Sequence, residues 1–446
     1  MEINLNKKSS TEALIKVSVK KADYQPEVEK KVKDYAKKAS VKGFRPGKVP
    51  PGLINKMYGK SILVEEVNNL VSKNLSEYIR EQKLQVLGNP LPDKSMATID
   101  WDTQEDFEFE YNIGFVNEVY YDLSKKQKVK KYSIDIDDKT LEKTLVDIKK
   151  RFGTDIEADT SESGDLLEVD IHSEDGQIDN KEVSFPVDAV EKKEQKKFIG
   201  LKRGDEVSFD LKKTFSDVDI IKTLTGIHDD NAGEIKGKFT LKVNGVKRRK
   251  EAEMDQALFD QVFGKDAVKD EKEFNAKVTE TIQANYDKET ETFFNHSIRK
   301  QLLASTSIEL PDNFLKEWLK VDQENVTDED IEREYDGYAE SLKWSLITEK
   351  IIADKEIKVE YDEVKEKARS MFVQQFGGEE AIAGFKDSLD PVVDNYLQGE
   401  NGKNYRTIYE QVMGEKTFEL IKGEITISEK KVKLDEFTKV VEKENA

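Results

Sequence analysis

No run of Ala, Val, Ile, Leu, Met, Phe, Trp or Tyr in this chain exceeds three residues. A membrane-spanning helix needs about 20, so a membrane protein is excluded. Any core must be built from apolar residues spaced along amphipathic segments. The hydrophobic share is 36%, and charged residues make up 37%, where about 25% is usual. Such a chain is too polar for one large compact core and too apolar for wholesale disorder. Thin domains or elongated arms with much surface are expected, and 446 residues suggest roughly two to four domains. With no cysteine, disulfides, thiolate nucleophiles and Cys-zinc sites are absent. The opening MEINLNKKSS shows no apolar signal segment, and the expected compartment is the cytoplasm.

Charge is uneven. Residues 1–60 hold 15 Lys/Arg and 6 Asp/Glu, a net +9 inside a chain of net −19. A basic end on an acidic body suggests a docking end for an anionic partner such as a ribonucleoprotein, with the body repelled from it.

The basic region reads as a small α/β domain. Leu14–Lys20 is a predicted strand with Ile15, Val17 and Val19 on one face. Val28, Val32, Tyr35, Ala36 and Ala39 predict a helix over 26–40, and Ile62, Leu63, Val67, Leu70, Val71, Leu75 and Ile79 a longer one over 60–83. Phe107, Phe109, Tyr111, Ile113 and Phe115 alternate with polar residues or glycine and mark the clearest half-buried strand.

Between the two helices runs Val41-Lys42-Gly43-Phe44-Arg45-Pro46-Gly47-Lys48-Val49-Pro50-Pro51. Its glycines and prolines end the first helix and force an exposed loop. Phe44 between Lys42 and Arg45 is an apolar anchor flanked by cations. Such a loop can grip a ribonucleoprotein, with cations on phosphate or acidic side chains and the ring in a pocket. The other reading folds Phe44 back onto its own core.

Gly43, Phe44, Arg45, Gly47, Lys48 and Pro50 match every fixed position of the G-F-R-x-G-K-x-P signature. At this loop the chain resembles the trigger factor family, the bacterial ribosome-associated chaperones. The resemblance runs along the whole chain in order. It implies that these six residues dock on ribosomal protein and RNA beside the nascent-chain exit tunnel.

In the middle, Gly164–His172, Val207–Leu211 and Gly237–Val243 read as strands separated by turn signals. The resemblance places an FKBP-type prolyl isomerase domain here, with Phe198–Glu206 similar to its central helix and following turn. An enzyme of that type binds a prolyl ring among aromatic side chains and desolvates the twisted amide, without nucleophile or metal. Here the family's aromatic positions carry Ile171 and Ile178, and the approach to the central helix is the charged stretch Glu191–Lys197. Phe185, Phe198, Phe215, Ile227 and Phe239 are the candidates for a residual pocket, or else ordinary β-barrel core. The domain is therefore expected to be degenerate, keeping the fold better than the activity.

The C-terminal half reads as helical. Asp270-Glu271-Lys272-Glu273 and Thr327-Asp328-Glu329-Asp330 are N-terminal capping patterns. Ser428-Glu429-Lys430-Lys431 is expected to open a final helix. The stretches Leu310–Leu315, Leu342–Val359 and Val412–Val441 resemble the family's C-terminal domain, which implies paired arms around an open cavity. Long helices in so polar a chain cannot all be fully packed, and the apolar stripes keep no strict heptad.

No phosphate loop and no GxGxxG fingerprint is present. His172, His228 and His296 are far apart with no ligand spacing, so neither metal nor cofactor is expected.

The expected fold class is α+β multidomain. Residues 1–115 form a ribosome-binding domain, and 116–152 a linker contributing to the helical part. Residues 153–248 form a degenerate FKBP-like β domain and 249–446 an elongated all-α chaperone domain with arms. The expected function is ATP-independent, ribosome-associated holding of unfolded nascent polypeptides, with no membrane partner and a homodimer off the ribosome. The alternatives are an active peptidyl-prolyl isomerase, or a helical adaptor for another ribonucleoprotein.

Overall fold

The computed structural model describes residues 1–42, 44–45, 47–94, 96, 99–228, 234–323, 326–378, 384 and 386–445. Along the chain run β1 (Glu2–Lys7), β2 (Glu12–Val19), α1 (Lys21–Lys38), α2 (Pro51–Glu81), β3 (Gln85–Pro92), β4 (Phe107–Val116) and β5 (Lys128–Ile134). There follow α3 (Asp138–Arg151), β6 (Thr154–Glu157), β7 (Leu166–Ser173), β8 (Asp179–Pro186), β9 (Glu206–Asp210), α4 (Leu211–Thr214), α5 (Val218–Thr225) and β10 (Lys238–Lys250). The rest is α6 (Gln256–Phe263), α7 (Glu271–Ser305), α8 (Asp312–Asp322), α9 (Asp328–Asp354), α10 (Tyr361–Gln375), α11 (Lys386–Glu424), β11 (Thr426–Val432) and α12 (Leu434–Asn445). Two compact units result: Met1–Lys131 with Thr292–Glu429, and Tyr132–Glu291 with Lys430–Ala446.

The first unit opens with an antiparallel sheet in the order β1-β2-β4-β3. Strict alternation along β2 buries Ala13, Ile15, Val17 and Val19. Its register on β4 sets Ile15 opposite Tyr111 and Val17 opposite Phe109. Val67, Val71 and Leu75 of α2 join the core of these strands, each side chain worth about 1.5–3 kcal/mol of burial. Nearer the connecting loop, α1 and α2 close a separate small core of Val32, Ala36, Val49, Ile54 and Ile62.

A third core in this unit draws on both ends of the sequence. Leu87, Leu91, Val116 and Leu123 meet Phe294, Ile298, Phe314, Ile347 and Ile421. Two strand glycines make the fit possible. A Cβ on Gly88 would sit 2.7 Å from the Trp318 ring, and one on Gly114 would overlap Phe314 and Pro311. Helix α8 therefore seats its aromatic residues where β3 and β4 carry no side chain. A fourth core joins Val364, Ala368 and Val373 of α10 to Leu389, Val393, Leu397, Ile408 and Val412 of α11. Helix α11 breaks at Gly399–Gly402, where Glu400, Asn401 and Gly402 all have positive φ.

In the second unit the antiparallel sheet runs β6-β10-β7-β8, with β9 also on β10. Leu167, Val169 and Ile171 of β7 and Leu241 and Val243 of β10 supply its inner face, and α5 packs against β8. A separate core sets Leu141, Leu145, Ile148 and Phe152 against Leu258, Phe259, Phe274 and Val278. This core joins α3 to α6 and the start of α7.

Both capping patterns form. Asp270 accepts the Glu273 N–H at 2.8 Å, and Thr327 accepts the Asp330 N–H at 3.2 Å. Two expectations are corrected. No helix opens at Ser428: β-branched Thr426 and Ile427 begin β11, which pairs with β5, and the last helix starts at Leu434. No helix lies at Phe198–Glu206 either. A single 3-10 turn, Gln195–Lys197, precedes non-helical backbone there, because Phe198 is drawn into the core. Strands β1 and β3 were not legible in the sequence. The first has one short alternation, and the second contains Gly88 and Pro90, both poor strand formers.

Candidate functional site

The loop between α1 and α2 is held by its own backbone. The Phe44 N–H donates to the Val41 carbonyl at 3.0 Å and the Lys48 N–H to the Arg45 carbonyl at 2.9 Å, giving two successive turns. Gly47 has φ +77°, and a Cβ there would lie 3.1 Å from the Lys37 carbonyl oxygen, so this position calls for glycine. Pro51 starts α2 at the position where its fixed φ favours a helix. Val49 is buried in the small α1–α2 core and anchors the loop from below.

Its neighbours point the other way. Phe44 is 41% exposed, and Arg45, Gly47, Lys48 and Pro50 are exposed with it. Lys42, Arg45 and Lys48 form no ion pair with any described residue. Gly43 lies outside the described residues. An uncovered ring among cations without counter-ions gains from a partner that buries the ring and supplies negative charge.

The candidate pocket residues of the middle domain part company. Phe185, Phe198, Phe215 and Phe239 are fully buried. Phe185 meets Phe215 edge-on at 5.1 Å and Phe198 at 5.9 Å. Phe209, which the sequence did not single out, joins Phe198 at 5.6 Å and Phe215 at 5.8 Å. Such edge-to-face contacts are those of a packed core. Ile227 lies apart from this cluster. With Ile178, Ile235, Ser173, Asp175 and Phe239 it lines a cavity of about 450 Å³. That opening offers aliphatic walls and a rim of both charges, Glu174 and Asp175 with Lys236 and Lys238, and its one ring, Phe239, is buried.

One charged group in this domain is deeply placed. Asp165 is buried and takes Arg248 Nε at 2.9 Å and Nη2 at 2.8 Å. The guanidinium holds its carboxyl below the usual carboxylate range, against the opposing effect of burial. Arg248 also donates to the Thr160 carbonyl at 3.1 Å, so the pair ties β10 to the segment before β7.

The helical part of the first unit carries half-covered aromatics. Tyr361 stacks on Tyr405 at 5.9 Å, and Phe372 meets Tyr396 edge-on at 5.3 Å. Phe376, Met371 and Val392 on α10 and α11 and their ends are exposed. Elsewhere in the same unit Leu319, Val326, Ile331, Tyr335 and Tyr338 line a groove of about 510 Å³. The Tyr335 hydroxyl donates to Asp312 at 2.7 Å, and burial together with that carboxylate pushes the phenol pKa up. The aromatics of α10 and α11 were not picked out from the sequence; their uneven spacing gives no clean helical stripe.

Among the described residues no group of three or more His, Asp or Glu could hold a metal ion. No helix there is long and apolar enough to cross a membrane.

A basic-tipped α/β head, a middle β domain and a helical region with uncovered aromatics suit a ribosome-associated chaperone. Three family models match the chain in order: bacterial trigger factor protein over residues 1–162, the probable trigger factor FKBP-like domain over 155–251, and the probable trigger factor C-terminal domain over 290–441. The chain belongs to the trigger factor family. It is 23% identical to the trigger factor of Pelagibacter ubique, over 99% of this chain and 89% of that one. It is 27% identical to that of Pseudoalteromonas atlantica over 70% of each. A solved structure, described under promiscuous substrate recognition in folding and assembly by the trigger factor chaperone, covers 94% of this chain and 99% of its own at 15% identity and TM-score 0.47.

Proposed function

We propose that the chain docks on the ribosome through Gly43, Phe44, Arg45, Gly47, Lys48 and Pro50 and holds emerging polypeptides on its helical part. The observation that carries this is the pairing of exposed Phe44 with Arg45 and Lys48, neither in an ion pair with a described residue. The division of labour follows residues 1–115 for docking, 116–152 for the link, 153–248 for the FKBP-like domain and 249–446 for holding. Contacts are made to ribosomal protein and RNA near the exit tunnel, and the compartment is the cytoplasm. Off the ribosome the same uncovered tip is open to a second copy, which supports a homodimer.

Holding needs no fuel. The uncovered rings of α10 and α11 offer several small apolar contacts, each easily released. Isomerase activity is a minor part of the function, because Phe185, Phe198 and Phe215 are spent on the core. Cosedimentation with ribosomes across a salt series tests the docking: binding is expected and should weaken as salt rises. Deleting 153–248 while keeping the rest should leave suppression of client aggregation in place. Complete loss of holding by a folded deletion variant would move the client site into the middle domain.

A further inference from the structure

Phe44 is not the only uncovered ring at the tip of the α1–α2 hairpin. Tyr35 of α1 is 43% exposed and Tyr58 of α2 is 44% exposed, and neither hydroxyl bonds a described residue. One ion pair locates them along the hairpin. Lys31 Nζ lies 3.2 Å from the Glu65 carboxylate and 2.8 Å from that of Glu66. Tyr35 and Lys38 follow Lys31 by four and seven residues, so they continue its face of α1. Tyr58 precedes Glu65 by seven residues and lies on that residue's face of α2.

The two helices run antiparallel. Tyr24 shares a core with Val67, Val71 and Leu75, while Val32 and Ala36 share one with Ile54 and Ile62. Both tyrosines therefore lie on the loop side of the ion pair, by about 6 Å and about 10 Å at the helical rise. One exposed ring from each helix therefore stands toward the loop end of the hairpin, a few ångströms apart along its axis.

Charge says what such a pair would meet. Residues 30–60 hold ten Lys/Arg and one acidic residue. Lys33, Lys38, Lys42, Arg45, Lys48 and Lys56 form no ion pair with a described residue. A purely protein-facing patch needs apolar area but not this excess of cations. A duplex-facing patch needs the cations but not the rings. Rings beside cations without counter-ions are the arrangement that takes unpaired bases by stacking and their phosphates by charge.

We infer that Tyr35 and Tyr58 form a stacking site for unpaired bases of an RNA loop, with Lys38, one turn from Tyr35, and the loop's Lys42 supplying charge for the phosphates. This rests on the docking of the neighbouring 43–50 loop and names RNA as the partner on this side of the tip.

The test uses the full chain, a fluorescein-labelled unstructured RNA of about 20 nucleotides, the same RNA as a duplex, and ribosomes. Tyr35→Leu/Tyr58→Leu keeps apolar area and removes the stacking faces, and Tyr35→Phe/Tyr58→Phe keeps the faces. The wild type should prefer the single strand. The leucine variant should bind it at least about tenfold more weakly, the phenylalanine variant within about twofold of wild type, and melting should not move. A leucine variant that binds single-stranded RNA as the wild type does, or a wild type that prefers the duplex, overturns the inference and leaves a protein-facing apolar patch. Phe44→Ala/Arg45→Ala/Lys48→Ala, pelleted with ribosomes alongside, keeps the two readings apart. If that variant alone fails to bind ribosomes, and the leucine variant binds both RNA and ribosomes normally, docking stands and the stacking site falls. If the triple variant pellets like wild type, the docking reading itself falls.

Discussion

Phe44 and Phe198 both have cations for sequence neighbours: Lys42 and Arg45 around one, Lys197 and Lys202 around the other. In space they have nothing in common. Phe44 stands open on a two-turn loop, beside cations that no described residue neutralises. Phe198 is fully buried, its carbonyl accepts the Ser161 hydroxyl at 2.7 Å, and its ring packs against Phe185 and Phe209. Nearby Lys197 is paired with Glu194. The difference lies in what the rest of the domain already supplies. A ring whose neighbours complete a core holds the domain together, and a ring whose core is completed by Val49 instead is left for a partner.

The largest expected effect falls on the buried side of this comparison. Phe198→Ala should cost about 3–5 kcal/mol of middle-domain stability, since it opens a cavity inside an edge-to-face cluster. Chemical denaturation would read it, and ribosome binding should be untouched. A loss below about 1 kcal/mol would mean that Phe198 is less confined than its contacts indicate. Next comes Phe44→Ala/Arg45→Ala/Lys48→Ala, expected to weaken ribosome binding about a hundredfold, or about 2.7 kcal/mol. Its melting temperature should stay within a degree or so of wild type. Destabilisation with retained binding would reverse the assignment.

A smaller effect is expected at Asp165. Its folded pKa lies below the unfolded value, so its stabilising contribution is fully present above about pH 4. That contribution fades as pH falls through the folded pKa. Asp165→Asn should therefore be less stable by about 1–2 kcal/mol at pH 7, a figure kept low because Arg248 is about one-third exposed. The gap to wild type should close in strong acid; a constant gap from pH 7 to pH 2 would exclude titration of this carboxyl as its source. The smallest effect is catalytic. In a proline-limited refolding assay the full chain should accelerate isomerisation by no more than a few-fold, because the cavity at Ile178, Ile227 and Ile235 presents no free ring. Rates near those of active FKBP-type enzymes, lost on changing Ile227, would show that aliphatic walls suffice.

Legibility in the sequence followed the range of the forces involved. Strand β2 and the Asp270 and Thr327 caps could be read because alternation and capping are local. The loop could be read because two glycines, three prolines and a stranded Phe leave few local options. What could not be read was the placement of Phe185, Phe198, Phe215 and Phe239, since burial depends on partners brought in from other strands. Ser428 misled for the same reason. A serine followed by charged residues looks like a helix start, but Thr426 and Ile427 had a partner strand about 300 residues earlier.

The core in which Leu87, Leu91 and Val116 meet Phe294, Ile347 and Ile421 also sets an order of events during synthesis. The two α1–α2 cores draw only on the first 115 residues and can close while the rest of the chain is still being made. The Gly88 and Gly114 sockets stay empty until α8 has been translated. The core they belong to waits for Ile421, roughly 15–60 s later at ordinary elongation rates. Until α8 arrives β3 and β4 carry an uncovered apolar face, so each new copy of this chaperone passes through a stage in which it resembles its own clients.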